Sequence, residues 1–144
     1  MILTDSNILV HSVQLHAPEY RVVDAAIAKL RVQEEILCIA PQNVVEFWSV
    51  VTRPVDRRGM GLTPLQAAAE VNMILRLFQL LPYQPDVLEN WRRLVLERNV
   101  SGKQVHDAHL VAMMQAHSIT SILTFNGDDF ERYPGITALN PAQL

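Results

Sequence analysis

The sequence has a single cysteine, no long apolar run and no basic segment at its start. The chain has one cysteine, Cys38, so it cannot form an intramolecular disulfide, and its position in an apolar run indicates a core residue, not a reactive thiol. No apolar run approaches the roughly 18 residues that a membrane-spanning helix needs. The N-terminus has no basic segment and reaches Asp5 at once, which predicts that there is no signal peptide.

Positive charge is also not in excess. The net charge is −3 at pH 7, which excludes a uniformly basic nucleic-acid-binding protein but leaves room for a local basic groove. The chain shows no internal repeat and no low-complexity segment. Its 144 residues, 49% of them apolar, fit one folded domain over residues 1–144. Together these features predict a cytoplasmic protein.

Short apolar segments alternate with longer amphipathic ones along the chain. We predict strands at 2–4, 36–40, 121–124 and 136–139, and helices at 20–34, 42–52, 64–79, 86–98 and 105–117. Ser6 and Asn7 are predicted to form a turn or a helix cap after the first strand. The order strand, helix, strand favours a parallel pair joined by a crossover helix. The fold class is therefore α/β, a three-layer α/β/α sandwich with a central, mostly parallel sheet.

Several carboxylates stand where an apolar side chain would serve folding better. Asp5 closes the first apolar run, Glu46 lies within an apolar helix, and Asp107 begins the apolar stripe of a later helix. Asp128 and Asp129 follow another predicted strand, and ligands in such sheets bind at the carboxyl ends of strands. Clustered carboxylates repel one another unless they share a proton or a cation. The pattern predicts a site for Mg²⁺ or Mn²⁺, which prefer oxygen ligands and can assist attack on a phosphodiester.

These residues also carry a resemblance to PIN-domain ribonucleases. The matching segments are, in chain order, 2–9, Glu46, 106–110, 123–130 and 135–141. No single segment is specific, but their order and spacing together are, and they cover nearly the whole chain. The size is similar to that of the VapC toxin branch. The resemblance implies a PIN-like fold and a metal-dependent endoribonuclease, the toxin component of a type II toxin–antitoxin pair.

The same resemblance implies a set of site residues and partners. Asp5, Glu46 and Asp107 would be catalytic ligands of Mg²⁺ or Mn²⁺, with Asn7 and Thr124 as polar residues that support them. The partners implied are an RNA substrate, a cognate antitoxin protein and a second copy of the chain in a homodimer. No membrane partner is implied.

The fourth ligand is left open by the resemblance. Many members carry an aspartate two residues after the strand-ending threonine, where this chain has Asn126. Members with asparagine there often have an Asp-Phe pair further on, which matches Asp129 and Phe130. Asp129 is therefore preferred to Asp128 as the fourth catalytic and metal-binding residue. If neither reaches the metal, the site has three carboxylates.

Two segments outside the acids allow more than one interpretation. The apolar pattern at 65–81 predicts either a buried helix or a dimer face. Arg53, Arg57, Arg58 and Lys103 could line a groove for RNA phosphates or could carry ordinary surface charge.

Other functions are compatible with parts of the pattern. The chain could be a non-catalytic PIN-like module that binds RNA or a partner protein. Metal-dependent cleavage of RNA would distinguish the ribonuclease from such a module. An aspartate after the first strand is also typical of haloacid dehalogenase-type phosphatases, but that chemistry needs a second aspartate where this chain has Asn7. His106 and His109 lack the further ligands that a zinc site needs.

Overall fold

Five short strands form one parallel sheet at the centre of the protein, in a computed structural model that describes residues 1–144. The strands are β1 (Ile2–Thr4), β2 (Leu37–Ile39), β3 (Gln79–Leu80), β4 (Ser121–Leu123) and β5 (Thr137–Leu139). Their order across the sheet is β3-β2-β1-β4-β5, and every neighbouring pair is parallel. From the central strand β1, the chain adds β2 and then β3 on one side. It then crosses to the other side of β1 and adds β4 and then β5.

Helices make up most of the remaining chain. They are α1 (Ser6–Val13), α2 (Pro18–Val32), α3 (Pro41–Thr52), α4 (Pro64–Leu77), α5 (Val87–Glu97) and α6 (Gln104–Ala116). Short 3₁₀ helices occur at Val55–Arg57, Gly127–Phe130 and Pro141–Gln143. No helix has both the length and the apolar character required to span a membrane.

The alternation of side chains along the strands divides the core into two parts. Leu3, Cys38 and Ile122 pack in a cluster with α5 and α6. Their strand neighbours Ile2 and Leu123 pack in a second cluster with α1 to α4, because successive side chains on a strand point to opposite faces. The sheet thus lies between two layers of helices, which confirms the predicted α/β/α class. Cys38 is fully buried, as predicted.

Two short elements differ from the sequence-based prediction. Ser6 and Asn7, predicted as a turn or a helix cap, are the first residues of helix α1, which Asp5 caps. The eight residues of α1 are too few to show a clear period. The helix predicted to reach Gln79 ends at Leu77, and Gln79–Leu80 form an edge strand. Both residues of that strand are exposed, so β3 lacks the apolar signature of a buried strand.

Two helices are less buried than their composition suggested. Helix α3 is apolar on most of its surface, but only one face is buried, and Val45 is 69% exposed. Helix α4 buries only Ala67 and Ile74, whereas Leu65 is 82% exposed. The buried-helix interpretation of the segment at 65–81 is therefore wrong for an isolated chain, and an exposed apolar surface remains on α4.

Candidate active site

Asp5 is held at the carboxyl end of the central strand by neutral donors. It is 7% exposed and caps helix α1. The backbone N–H of Ser6 donates to Oδ1 at 2.6 Å, while Asn7 Nδ2 and Thr124 Oγ1 each donate to Oδ2 at 2.7 Å. Burial raises the pKa of Asp5 although the hydrogen bonds from Thr124 and Ser6 oppose it, and the charge of Glu46 raises the pKa further. Both polar neighbours expected from the resemblance, Asn7 and Thr124, contact this carboxylate.

Glu46 faces Asp5 from the second turn of α3. Its Oε2 lies 2.8 Å from the hydroxyl of Ser6, and its Oε1 accepts a hydrogen bond of 2.8 Å from Gln42 Nε2. The same Ser6 hydroxyl lies 3.2 Å from Asp5 Oδ1. Ser6 therefore bridges two carboxylates that would otherwise repel each other across the site.

Asp107 adds a third carboxylate to the site, from the first turn of α6. Its half-buried carboxylate accepts no hydrogen bond from any group of the protein. Burial raises the pKa of Asp107 to about 6, and the charges of Asp129, Asp5 and Glu46 contribute to the rise, against a smaller opposite effect of His106. Asp107 is thus close enough to the carboxylates of three other segments for their charges to act on it.

The structure also separates the candidates for the fourth acid. Asp129 is half-buried in the 3₁₀ helix after β4 and contributes more than any other charge to the shift of Asp107. Asp128 is exposed, and its charge is not among those that act on Asp107. Asn126 is also exposed, and its backbone N–H donates to Thr124 Oγ1 at 3.0 Å. The arrangement brings Asp129, and not Asp128 or Asn126, toward the other acids.

Two residues at the site were not identified from the sequence. Ser6 was treated as a cap and Gln42 as the start of a helix, yet both contact Glu46. The spacing of Gln42 and Glu46 was an available signal, because residues four apart share one face of a helix. The bridging position of Ser6 had no such signal, since it depends on where α3 lies relative to α1.

The donor set fits a hard divalent cation in its chemistry. No three His, Cys, Asp or Glu side chains stand together as a ready-made metal site. The groups that converge are nevertheless all carboxylates. Asp107, which receives no hydrogen bond from the protein, is subject to the negative charges of three of them. Oxygen-only ligands of this kind suit Mg²⁺ or Mn²⁺, not zinc. The residues that could hold the ion are Asp5, Glu46, Asp107 and Asp129.

The family model described as PIN domain matches residues 2–136 of the sequence. The chain belongs to the PIN-domain family. Among curated proteins, no match is found for this PIN domain. The family assignment therefore depends on the family model and agrees with the fold and with the order of the acids along the chain.

Solved structures share the fold of this PIN domain at low sequence identity. A toxin–antitoxin complex from Klebsiella pneumoniae is 21% identical, with a TM-score of 0.66 and coverage of 98% of both chains. VapBC2 from Rickettsia felis, bound to a DNA fragment from its promoter, is 16% identical, with a TM-score of 0.70 and coverage of 97% of this chain and 98% of the other. VapC20 from Mycobacterium tuberculosis, a toxin that cleaves the sarcin–ricin loop, is 14% identical, with a TM-score of 0.65 and coverage of 90% and 92%.

Proposed function

We propose that this PIN domain is a metal-dependent endoribonuclease. The observation that carries the proposal is the position of Asp107, a half-buried carboxylate without a hydrogen-bond donor that is close to three other carboxylates. A fold does not need such an arrangement, because each like charge raises the free energy of the folded state. A site that collects divalent cations does need it.

In this proposal each polar neighbour has a role in presenting the acids. Asp5, Glu46, Asp107 and Asp129 hold Mg²⁺ or Mn²⁺, which when bound supplies a water of lowered pKa and stabilises charge on the phosphodiester. Asn7 and Thr124 orient Asp5 through their hydrogen bonds to Oδ2. Since the pKa of Asp107 is about 6, its carboxylate is mostly ionised at neutral pH and is ready to bind a cation.

The purified protein is expected to cleave single-stranded or loop RNA in the presence of Mg²⁺ or Mn²⁺. EDTA should stop the reaction and added metal should restore it, because the acids cannot approach a phosphodiester without a cation between them. The measurement is gel analysis of 5′-labelled RNA over time. Stoichiometric Mn²⁺ binding without any cleavage would favour the alternative, a non-catalytic module that binds RNA or protein. The PIN-family match gives no support to a haloacid dehalogenase-type phosphatase.

We further propose that the protein is the toxin of a toxin–antitoxin pair and acts in the cytoplasm. The proposal is supported by the shared fold with proteins whose structures were determined as toxin–antitoxin complexes. A cluster of four carboxylates is complementary to a basic side chain, so an antitoxin could block the site with an arginine or lysine carried by an apolar segment.

We also propose that the protein is a homodimer, which the exposed apolar side chains of α4 support. Leu65, Met73 and Leu77 are 82%, 51% and 50% exposed, and such a patch is stabilised when it is buried against a partner. Static light scattering at tens of micromolar should give twice the mass of the 144-residue chain. Leu65→Glu should yield the monomer, whereas Val32→Glu, at an equally exposed position on α2, should leave the dimer intact. A monomeric wild-type mass would contradict the proposal.

A further inference from the structure

The side chain of Gln42 joins the acid on α3 to the backbone of α6. Its Nε2 donates to Glu46 Oε1 at 2.8 Å and to the carbonyl oxygen of His106 at 3.0 Å. Its Oε1 accepts from Nδ1 of His109. Both partners of Nε2 are pure acceptors, so the orientation of the amide is determined by its contacts, and His109 must carry a proton on Nδ1.

A second contact keeps His109 in place behind the amide. The ring of Tyr83 stacks on that of His109 with centroids 5.8 Å apart and an angle of 25°. The Tyr83 hydroxyl lies 3.4 Å from His109 Nε2, which is free to accept when Nδ1 carries the proton. Four side chains from three segments therefore form one chain of contacts that ends on the Glu46 carboxylate.

This bridge provides the side-chain hydrogen bonds between helices α3 and α6. Helices α3 and α6 share few other contacts, and Gln42 makes all the side-chain hydrogen bonds between them. The carbonyl that it holds belongs to His106, the residue next to Asp107. One amide thus contacts Glu46 directly and also contacts the backbone beside Asp107, so it links the segments that carry these two carboxylates.

We propose that Gln42 is a positioning residue for the metal site, an inference that rests on the proposed function. By fixing Glu46 and the first turn of α6, the amide keeps two like charges at a separation that a cation can bridge. Groups that orient metal ligands in this way typically contribute about 10- to 100-fold to metal affinity or activity. Gln42 itself touches neither substrate nor metal in this role.

Gln42→Met tests the proposal, because methionine keeps the length of the side chain and removes its hydrogen bonds. We expect Mn²⁺ affinity, measured by isothermal titration calorimetry, to fall about 10-fold or more. The kcat for RNA cleavage should fall with it, while KM for RNA stays near the wild-type value. The melting temperature in EDTA should be almost unchanged, since the bridge is half-buried and its partners can bind water. Gln115→Met, on the exposed part of α6, is the matched control and should change none of these values.

A double variant shows whether Gln42 acts through Glu46. In a Glu46→Gln background the further change Gln42→Met should lower Mn²⁺ affinity clearly less than it does in the wild-type protein, because only the contribution through the His106 carbonyl remains. Additive losses would overturn the proposal, and so would wild-type affinity in Gln42→Met or a melting temperature that falls in parallel with activity. If the wild-type protein itself binds no Mn²⁺, it is the proposed function that is wrong. Failure of the Gln42 proposal is distinguishable from this, because the wild-type protein then still binds Mn²⁺.

Discussion

Asp107→Asn is expected to lower metal-dependent RNA cleavage at least tenfold, which corresponds to about 1.4 kcal/mol of transition-state stabilisation. Asparagine keeps the size of the side chain but removes its charge, and the carboxylate of Asp107 receives no hydrogen bond from the protein. A cation is therefore the only strong partner that its charge would have in the native state. The measurement is the initial rate of cleavage of a labelled RNA at saturating Mn²⁺ and at several lower concentrations.

A pair of neighbouring aspartates provides the control for this experiment. Asp129→Asn should lower cleavage as Asp107→Asn does, because the charges of these two residues interact. Asp128→Asn removes the same charge from the adjacent, exposed position and should leave the rate unchanged. Unchanged metal-dependent activity in Asp107→Asn, or equal losses in both neighbouring variants, would contradict the assignment of the site.

The second large effect concerns stability without metal. Asp107→Asn is expected to raise the melting temperature in EDTA at pH 7 and to abolish the additional stabilisation by Mn²⁺. The pKa of Asp107 is raised from 3.8 to about 6 in the folded state. Because the folded state binds the proton of this carboxyl more tightly than the unfolded state, the protonated carboxyl favours folding below pH 3.8. This stabilisation is lost as the pH rises to about 6, so at pH 7 the ionised group destabilises the fold.

The size of the effect is modest in EDTA and larger with metal. Because the carboxylate is half-exposed, solvent screening reduces its cost to about 1 kcal/mol, or roughly 3 to 5 °C in melting temperature. Mn²⁺ at 100 times its Kd should stabilise the wild-type protein by about 2.7 kcal/mol, and the variant by much less. The measurement is a thermal melt of both proteins with EDTA and with Mn²⁺.

The pH dependence and a second variant make this prediction specific. The advantage of Asp107→Asn in EDTA should shrink as the pH is lowered from 7 toward 4, where the wild-type carboxyl takes up its proton. Asp5→Asn should melt lower than wild type, because Ser6 N–H donates to Oδ1 while Asn7 and Thr124 donate to Oδ2. An amide nitrogen in either place leaves a donor unpaired. An Asp107→Asn variant that melts lower in EDTA and still gains stability from Mn²⁺ would show that Asp107 is structural.

Much of this protein was predictable from the sequence because the deciding information is local. The alternation of short apolar runs with helical periods indicates an α/β fold, and a parallel sheet in such a fold gathers strand ends at one edge. Asp5 at a strand end and Asp107 at a helix start are out of place in their own segments, so each is noticeable without knowledge of the rest of the chain. Strand β3 was missed, and helix α1 was anticipated only as a turn or a helix cap, because two and eight residues are too short to show a period.

Only the tertiary structure decided which groups meet. Asp128 and Asp129 are adjacent in the sequence and chemically identical, and the 3₁₀ helix after β4 is what exposes one and turns the other toward Asp107. The bridge from Gln42 to α6 joins residues that are 64 and 67 positions apart, and no local pattern encodes it. Such contacts depend on the distance and angle between packed helices, which arise from the whole core and not from any one segment.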